Sequence, residues 1–315
     1  MKPRVAIATG DPAGIGPEIS LKAARDARVR ELCQPVLIGS REVLALHAPD
    51  VPLDDLFIRD VKHALPRVGE VAAEHGRATL EIAALAIGGA LEGKYDAVVA
   101  APHTEAAIHA SGIKFDGYPS FVARVCGLAP EEGILMLCFA HGGREVRIAH
   151  VTLHAGVREA LAQITRPRIL RTLWAVGDSL KKLGIDKPGI AVSGVNPHAG
   201  ESGAFGREEI DTVQPALEEA RRAGMKVDGP FGADALLQRP GYDAYVVMLH
   251  DQGHVPAKLL APNRVAALTI GTPVLFSSVG HGSALDIAGQ GRANPDAVIE
   301  AITRLVTRRR RAPAT

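Results

Sequence analysis

Continuous apolar runs recur along the chain, separated by longer stretches in which apolar and polar positions alternate with helical spacing. The runs RVAIAT (4–9), PVLIG (35–39), DAVVAA (96–101), GILMLC (133–138), GIAVSGV (189–195) and DAYVVML (243–249) are unbroken rather than alternating. That is the pattern of strands buried on both faces. Amphipathic segments near 18–32, 77–92, 157–183 and 207–223 predict helices between them. This order predicts an α/β protein with mostly parallel sheets, in which ligand sites gather beyond the carboxyl ends of the strands. Polar clusters fall there: GDPAGIGPE follows the first run, PHTE the third, NPHAGE the fifth and LHDQGH the sixth. No internal repeat or low-complexity linker interrupts the chain, so a second domain would form by the chain crossing over and returning.

The chain of 315 residues is long enough for two packed α/β domains or one large one, and its 47% apolar content fits a folded protein. Lys and Arg number 36 against 35 Asp and Glu, leaving no field to draw nucleic acid or an anionic membrane. The basic run Arg308–Arg311 reads as a solvated helix end. The opening apolar run is too short for a signal peptide, and no stretch reaches the ~20 apolar residues of a membrane span. Cys33, Cys126 and Cys138 are isolated, which argues against a disulfide framework or a thiolate zinc site and for a reduced, cytoplasmic setting.

His154, His198 and His250 each lie at or just beyond the end of an apolar run. Three imidazoles reaching one end of a sheet would make an open divalent-metal site, whereas each alone reads as an ordinary hydrogen-bonded histidine. Asp251, Asn196 and Glu201 lie nearby and are suited to orienting such ligands. GDPAGIGPE offers backbone N–H groups to an anion or forms a tight strand-to-helix turn, and it lacks the G-x-G-x-x-G spacing of a dinucleotide fingerprint. In GHGSALDIAGQGRANP (280–295), glycines let a planar group approach the backbone; Asp286 is placed either to bind ribose hydroxyls or to cap a turn. MLHDQGHVPAK (248–258) reads either as a polar loop closing a strand or as one wall of a metal-dependent site.

GDPAGIGPE and HGSALDIAGQGRANP resemble the two signatures of the isopropylmalate and isocitrate dehydrogenase superfamily. HVTLH, NPHAGESGAFGREEID, VDGPFGADALL, MLHDQGHVPAK and SSVGHGSALDIAG narrow the resemblance to the 4-hydroxythreonine-4-phosphate dehydrogenase family, over nearly the whole chain. The resemblance implies a two-domain subunit, with residues 1–123 and 278–315 in the first domain. Residues 124–277 would form the second, carrying the metal ligands and the dimer interface. It further implies a homodimer with the active site in the interdomain cleft at that interface. His154, His198 and His250 would bind a divalent metal, zinc foremost, with iron and other divalent ions open. Lys258 would act on substrate or proton, with Asp251 beside the metal ligands. Gly282, Ser283, Asp286 and Asn294 would hold the adenosine half of a dinucleotide, NAD rather than NADP because the Asp286 carboxylate would repel a 2′-phosphate.

Departures from the family bear on the substrate. Gly117-Tyr118-Pro119-Ser120 stands where the family has Gly-His-Thr-Glu, Ala267 and Phe276 stand where it has Asn and Arg, and Glu105 replaces a usual lysine. These changes remove charge-assisted donors that would grip a phosphate. GYPS, HVTLH, HDQGH and SSVGHGSA look like the terephthalate dihydrodiol dehydrogenase branch. Its members oxidise and decarboxylate an unphosphorylated cis-dihydrodiol dicarboxylate to protocatechuate and CO2. Tyr118, His254 and Phe276 are then candidate substrate contacts, with Arg124 and Arg147 as candidate carboxylate donors. The alternatives are action on 4-hydroxythreonine 4-phosphate or a related phosphorylated hydroxy acid, a metal hydrolase, and a noncatalytic binding protein.

Overall fold

The computed structural model describes residues 2–262 and 264–306; the basic run at 308–311 lies outside them. Eleven strands are present among the described residues. They are β1 (Arg4–Ala8), β2 (Gln34–Gly39), β3 (Phe57–Asp60), β4 (Ala97–Ala100), β5 (Ile134–His141), β6 (Arg144–His150), β7 (Gly189–Ser193), β8 (Lys226–Phe231), β9 (Ala244–Val247), β10 (Ala266–Ile270) and β11 (Phe276–Val279). The described residues divide into two compact units, one built from 2–130, 266–268 and 272–306, the other from 131–262, 264–265 and 269–271.

In the first unit the strands lie in the order β3-β2-β1-β4-β11, all parallel. The register Ala6↔Val36 and Ala6↔Val98 aligns alternate residues across the sheet. Ala6, Ala8, Val36, Ile38, Val98 and Ala100 therefore share one face, where they pack with Leu80, Ile82, Ala83 and Ile87 of the helix Ala73–Leu91. Val5, Ile7, Leu37 and Val99 are equally buried on the opposite face, which explains why these strands read as unbroken apolar runs.

In the second unit the order is β5-β6-β9-β7-β8. β5 and β6 form an antiparallel pair, and the β6–β9, β9–β7 and β7–β8 pairs are parallel. His150↔Val247 and Val192↔Val246 bring the carboxyl ends of β6, β9 and β7 side by side.

Two predicted helices are broken, each for a local reason. The segment 18–32 splits because Asp26 is extended (φ −62°, ψ 130°) and its carboxylate caps a second helix through Arg28 N. The segment 157–183 splits into Val157–Gln163 and Arg166–Lys182, because Ile164 and Thr165 leave helical geometry (Thr165 φ −118°, ψ 154°) and Pro167 suits the first turn of the second helix. The segment expected at 207–223 begins as a π-helical turn, Glu209–Val213, ahead of Pro215, which cannot donate a backbone hydrogen bond.

Candidate active site

The stretch 248–258 is not a loop: a helix, His250–Leu260, starts directly after β9. Its start is tied down by Gln252, whose Oε1 accepts from Met248 N (2.9 Å) and Leu249 N (3.0 Å). Gln252 Nε2 donates to Gly194 O at the end of β7 (3.0 Å), so one side chain links the ends of two neighbouring strands. The sequence reading missed this residue, although a glutamine at the third helical position is a known capping signal.

His250, His254 and Lys258 are spaced i, i+4 and i+8 and so share one helix face. The rings of His250 and His254 stack at 3.8 Å and 9°. His254 lies 4.8 Å from His150, at the end of β6, and His154 lies 5.8 Å from His250. The adjacent ends of β6 and β9 thus gather four imidazoles. Asp251 Oδ1 accepts from His250 Nδ1 (2.7 Å); because a carboxylate only accepts, Nδ1 carries a proton, which in the neutral ring leaves the lone pair on Nε2. That is the form in which imidazole binds a metal.

His150 is buried, its Nδ1 donates to Leu135 O at 3.4 Å, and its Nε2 has no partner. Burial, reinforced by the neighbouring His254, pushes its pKa down to about 3. Burial and then His250 push His254 down to about 4. Both rings are uncharged at neutral pH. Gly253 makes room for the His150 ring, since a Cβ there would fall on His150 Nε2.

His198 follows β7, but its side chain does not join His154 and His250. The expected convergence of three imidazoles is not met within one chain, and among the described residues no group of three His, Cys, Asp or Glu side chains is arranged to hold a metal. The cause lies in the loop. His198, Ala199, Glu201 and Ser202 all have left-handed φ (52°, 53°, 41° and 55°). This turn is anchored by the buried Glu209, whose Oε1 accepts from Val195 N (2.7 Å) and Asn196 N (2.8 Å). The Asn196 amide donates to Glu209 and Glu208, so it holds the loop rather than an imidazole.

In the first unit GDPAGIGPE forms a tight turn after β1: Asp11 Oδ1 accepts from Ala13 N (2.9 Å), and Gly14 N donates to Asp11 O (3.2 Å). Ile15 N then donates to Ser283 O (2.9 Å), docking the glycine-rich segment onto this turn. Gly282 is exposed, and a Cβ there would meet nothing within 4 Å. Ser283 is buried with its hydroxyl unpartnered, and Asp286 is exposed. Asn294 Oδ1 accepts from Asp296 N at the start of the last helix (2.8 Å).

Tyr118 and Phe276, expected as substrate contacts, are buried core residues whose rings meet at 5.0 Å. Tyr118 begins a helix (Tyr118–Val125) that the sequence reading missed, and it also meets His103 and Phe115 edge-on at 5.0 and 5.5 Å. Its hydroxyl has no partner, and complete burial raises its pKa. Neither proposed arginine donor is idle: Arg124 pairs with Asp116, and the buried Arg147 donates to Asp243 O (3.2 Å).

Residues 30–305 match the family described as pyridoxal phosphate biosynthetic protein PdxA. A 1,2-dihydroxy-3,5-cyclohexadiene-1,4-dicarboxylate dehydrogenase from Comamonas sp is 44% identical over 96% of both chains. The crystal structure of a terephthalate 1,2-cis-dihydrodiol dehydrogenase from Burkholderia xenovorans is 42% identical and superposes with a TM-score of 0.74, covering 97% of this chain and 98% of that one. A 4-hydroxythreonine-4-phosphate dehydrogenase from Burkholderia phymatum superposes with a TM-score of 0.82 at 33% identity, over 98% of this chain and all of the other. The chain belongs to the PdxA family, and its relatives are dehydrogenases.

Proposed function

We propose that this protein is an NAD-dependent, metal-assisted dehydrogenase that oxidises and decarboxylates an unphosphorylated cis-dihydrodiol dicarboxylate, terephthalate 1,2-cis-dihydrodiol, to protocatechuate and CO2. The observation that carries the choice of substrate is the lack of a charged donor at Tyr118 and Phe276, which are packed into the core. A phosphate dianion is held by charge-assisted donors. Tyr118 and Phe276 supply none, being packed ring against ring in the core, and the nearby Arg124 is committed to Asp116. The relatives named for dihydrodiol substrates support the same reading.

Bound NAD would supply the hydride acceptor for oxidation of the secondary alcohol, which with loss of the hydroxyl proton becomes a ketone β to a carboxylate. The carbon–carbon bond to that carboxylate then breaks, CO2 departs, and the electron pair enters the ketone oxygen. In the diene ring the resulting enolate is a catechol tautomer, so aromatisation drives the step forward. Ser283, with its unpartnered buried hydroxyl beside the open Gly282, fits a polar ligand. With Asp286 and Asn294 it would hold the adenosine half of NAD. His154 and His250 fit two positions of a divalent ion, whose Lewis acidity would stabilise negative charge on the reacting oxygen. Asp251 keeps the Nε2 lone pair of His250 available. Lys258, exposed on the same helix face, would bind a substrate carboxylate or carry the hydroxyl proton. His254, stacked on His250, would border the substrate.

The third imidazole is the basis for a homodimer in this reading. His198 of one chain would complete the set of a second, and the exposed Val255, Leu259, Val157 and Leu161 supply an apolar surface for that contact. His198→Ala and His250→Ala should each abolish turnover. After subunit exchange between the two inactive variants, about a quarter of wild-type activity should return, because half the dimers are mixed and each carries one intact site. No recovery would refute the shared site. NADH formation with the diol and not with 4-hydroxythreonine 4-phosphate is the expected specificity; the opposite preference would overturn the substrate assignment.

A further inference from the structure

We infer that Lys22 and Glu18 are positioning residues for the nucleotide, forming a strut that holds the 291–294 segment in the shape that accepts an adenosine group. This rests on the dinucleotide reading above. The helix Gly16–Arg25 follows the turn after β1, and Glu18 and Lys22 stand one turn apart on it. Lys22 Nζ donates to three acceptors: Glu18 Oε1 (2.7 Å), Gly291 O (2.8 Å) and Ala293 O (2.8 Å). Glu18 Oε1 also accepts from the buried Ala293 N (2.8 Å). Backbone groups of two residues in this segment are thus fixed by one ion pair whose carboxylate is only 2% exposed.

A buried carboxylate is costly unless it is paired and hydrogen-bonded. A helix needing only to pack here would be served by an apolar side chain, and Glu18 even leaves its Oε2 without a partner. What the ion pair adds is direction. It turns the Gly291 and Ala293 carbonyls toward the helix and leaves Gly291 itself exposed, with open space where a Cβ would be. Asn294 comes next, its side-chain oxygen already engaged with Asp296 N. The other end of the glycine-rich segment is held separately by the Ile15 N to Ser283 O bond. Residues 283 and 291–293 are thereby tied at two points, with the exposed Gly282, Asp286 and Asn294 distributed around them. Such prior fixing lowers the ordering cost of ligand binding.

Lys22→Met retains the aliphatic stem and removes the ammonium. With the intact chain, the Kd for ADP-ribose should rise about tenfold, as expected for losing charge-assisted bonds that position the site. The KM for NAD should rise in parallel, while kcat at saturating NAD and the affinity for nicotinamide mononucleotide stay within about twofold. Lys22→Arg should restore part of the loss. Should Lys22→Met fail to fold, the isosteric Glu18→Gln carries the test, with a rise in the same two constants. Wild-type protein that binds ADP-ribose no better than either variant would overturn the strut, as would equal losses for both half-ligands, the mark of general destabilisation. A wild type that binds neither NAD nor ADP-ribose would instead overturn the dinucleotide reading and the strut with it.

Discussion

Gly253→Ala and Gly88→Ala are the same chemical change in two helices, and the structure assigns them opposite signs. Replacing glycine by alanine inside a helix is worth about 1 kcal/mol of stability when the new methyl meets nothing. Gly88, in the helix Ala73–Leu91, has no atom within 4 Å of an added Cβ, so Gly88→Ala should stabilise by up to about 1 kcal/mol. At Gly253 the added Cβ would fall on His150 Nε2 and stand 2.8 Å from its Cε1 and 3.0 Å from Ile148 Cγ2. Both neighbours are buried in β6, and overpacking of this kind costs about 1–3 kcal/mol. Subtracting the propensity gain leaves a net loss of up to about 2 kcal/mol, with the close approach to His150 Nε2 favouring the upper end. Urea unfolding at neutral pH, with midpoints compared at constant m-value, measures both. A double-mutant cycle with His150→Ala should recover most of the Gly253→Ala penalty, because the obstructing ring is gone. Equal stabilisation by both alanines would refute the packing of His150 against the helix.

Acid stability carries a second signature. His47 and His150 are buried and uncharged, with their folded pKa values held below the ordinary 6.5, in both cases chiefly by desolvation. As pH falls below about 6.5 the unfolded chain takes up protons that the folded chain refuses, so stability should fall by up to about 1.4 kcal/mol per pH unit for each histidine. For His150 the loss continues toward about 3. Metal-free urea titrations between pH 7.5 and 5.5 should show the slope, and His47→Gln should flatten it (about two pH units, above most carboxylate titration). Tyr118→Phe removes a buried hydroxyl that has no partner, so unfolding should occur at equal or higher urea while kcat/KM stays within about twofold; a tenfold loss of turnover would reveal a polar role for that hydroxyl. Glu209→Ala strips the loop 195–202 of its anchor and should cost about 2–4 kcal/mol, together with metal affinity measured by competition with a chromophoric chelator.

Strands buried on both faces were the most legible part of this fold, because burial on both sides leaves unbroken apolar runs such as Val5–Ala8 and Val98–Ala100. β3 escaped notice because it is a four-residue edge strand with exposed ends, Phe57 and Asp60. The helix Tyr118–Val125 was hidden by a Gly-Tyr-Pro-Ser start that reads as a turn, although Pro119 is suited to a first helical turn. The strand-end positions of His154, His198 and His250 were visible in one dimension. The deflection of His198 was not, since it depends on a left-handed backbone fixed by Glu209 from a later segment. The His250–His254 stack was within reach, for i, i+4 spacing places two rings on one face once the segment is read as helix. His150, Glu18 and Lys22 were out of reach, because their roles come from partners distant in the sequence.

The strut between Lys22 and Ala293 joins residues separated by 271 positions, and β4 likewise pairs with β11 from the far end of the chain. During synthesis the first unit therefore waits. Its β4 edge, Ala97–Ala100, emerges long before the strand that covers it, with the whole of residues 131–265 made in between. The second unit, in contrast, has nearly all of its strands in one continuous stretch and is free to fold while the ribosome is still at work. A nascent chain stopped short of residue 276 would present an open apolar strand edge, the kind of surface that recruits chaperones or other strands. The nucleotide segment would then take shape only after residues 131–265 have been made, so that a ligand bound there would report a first unit closed by its late strand.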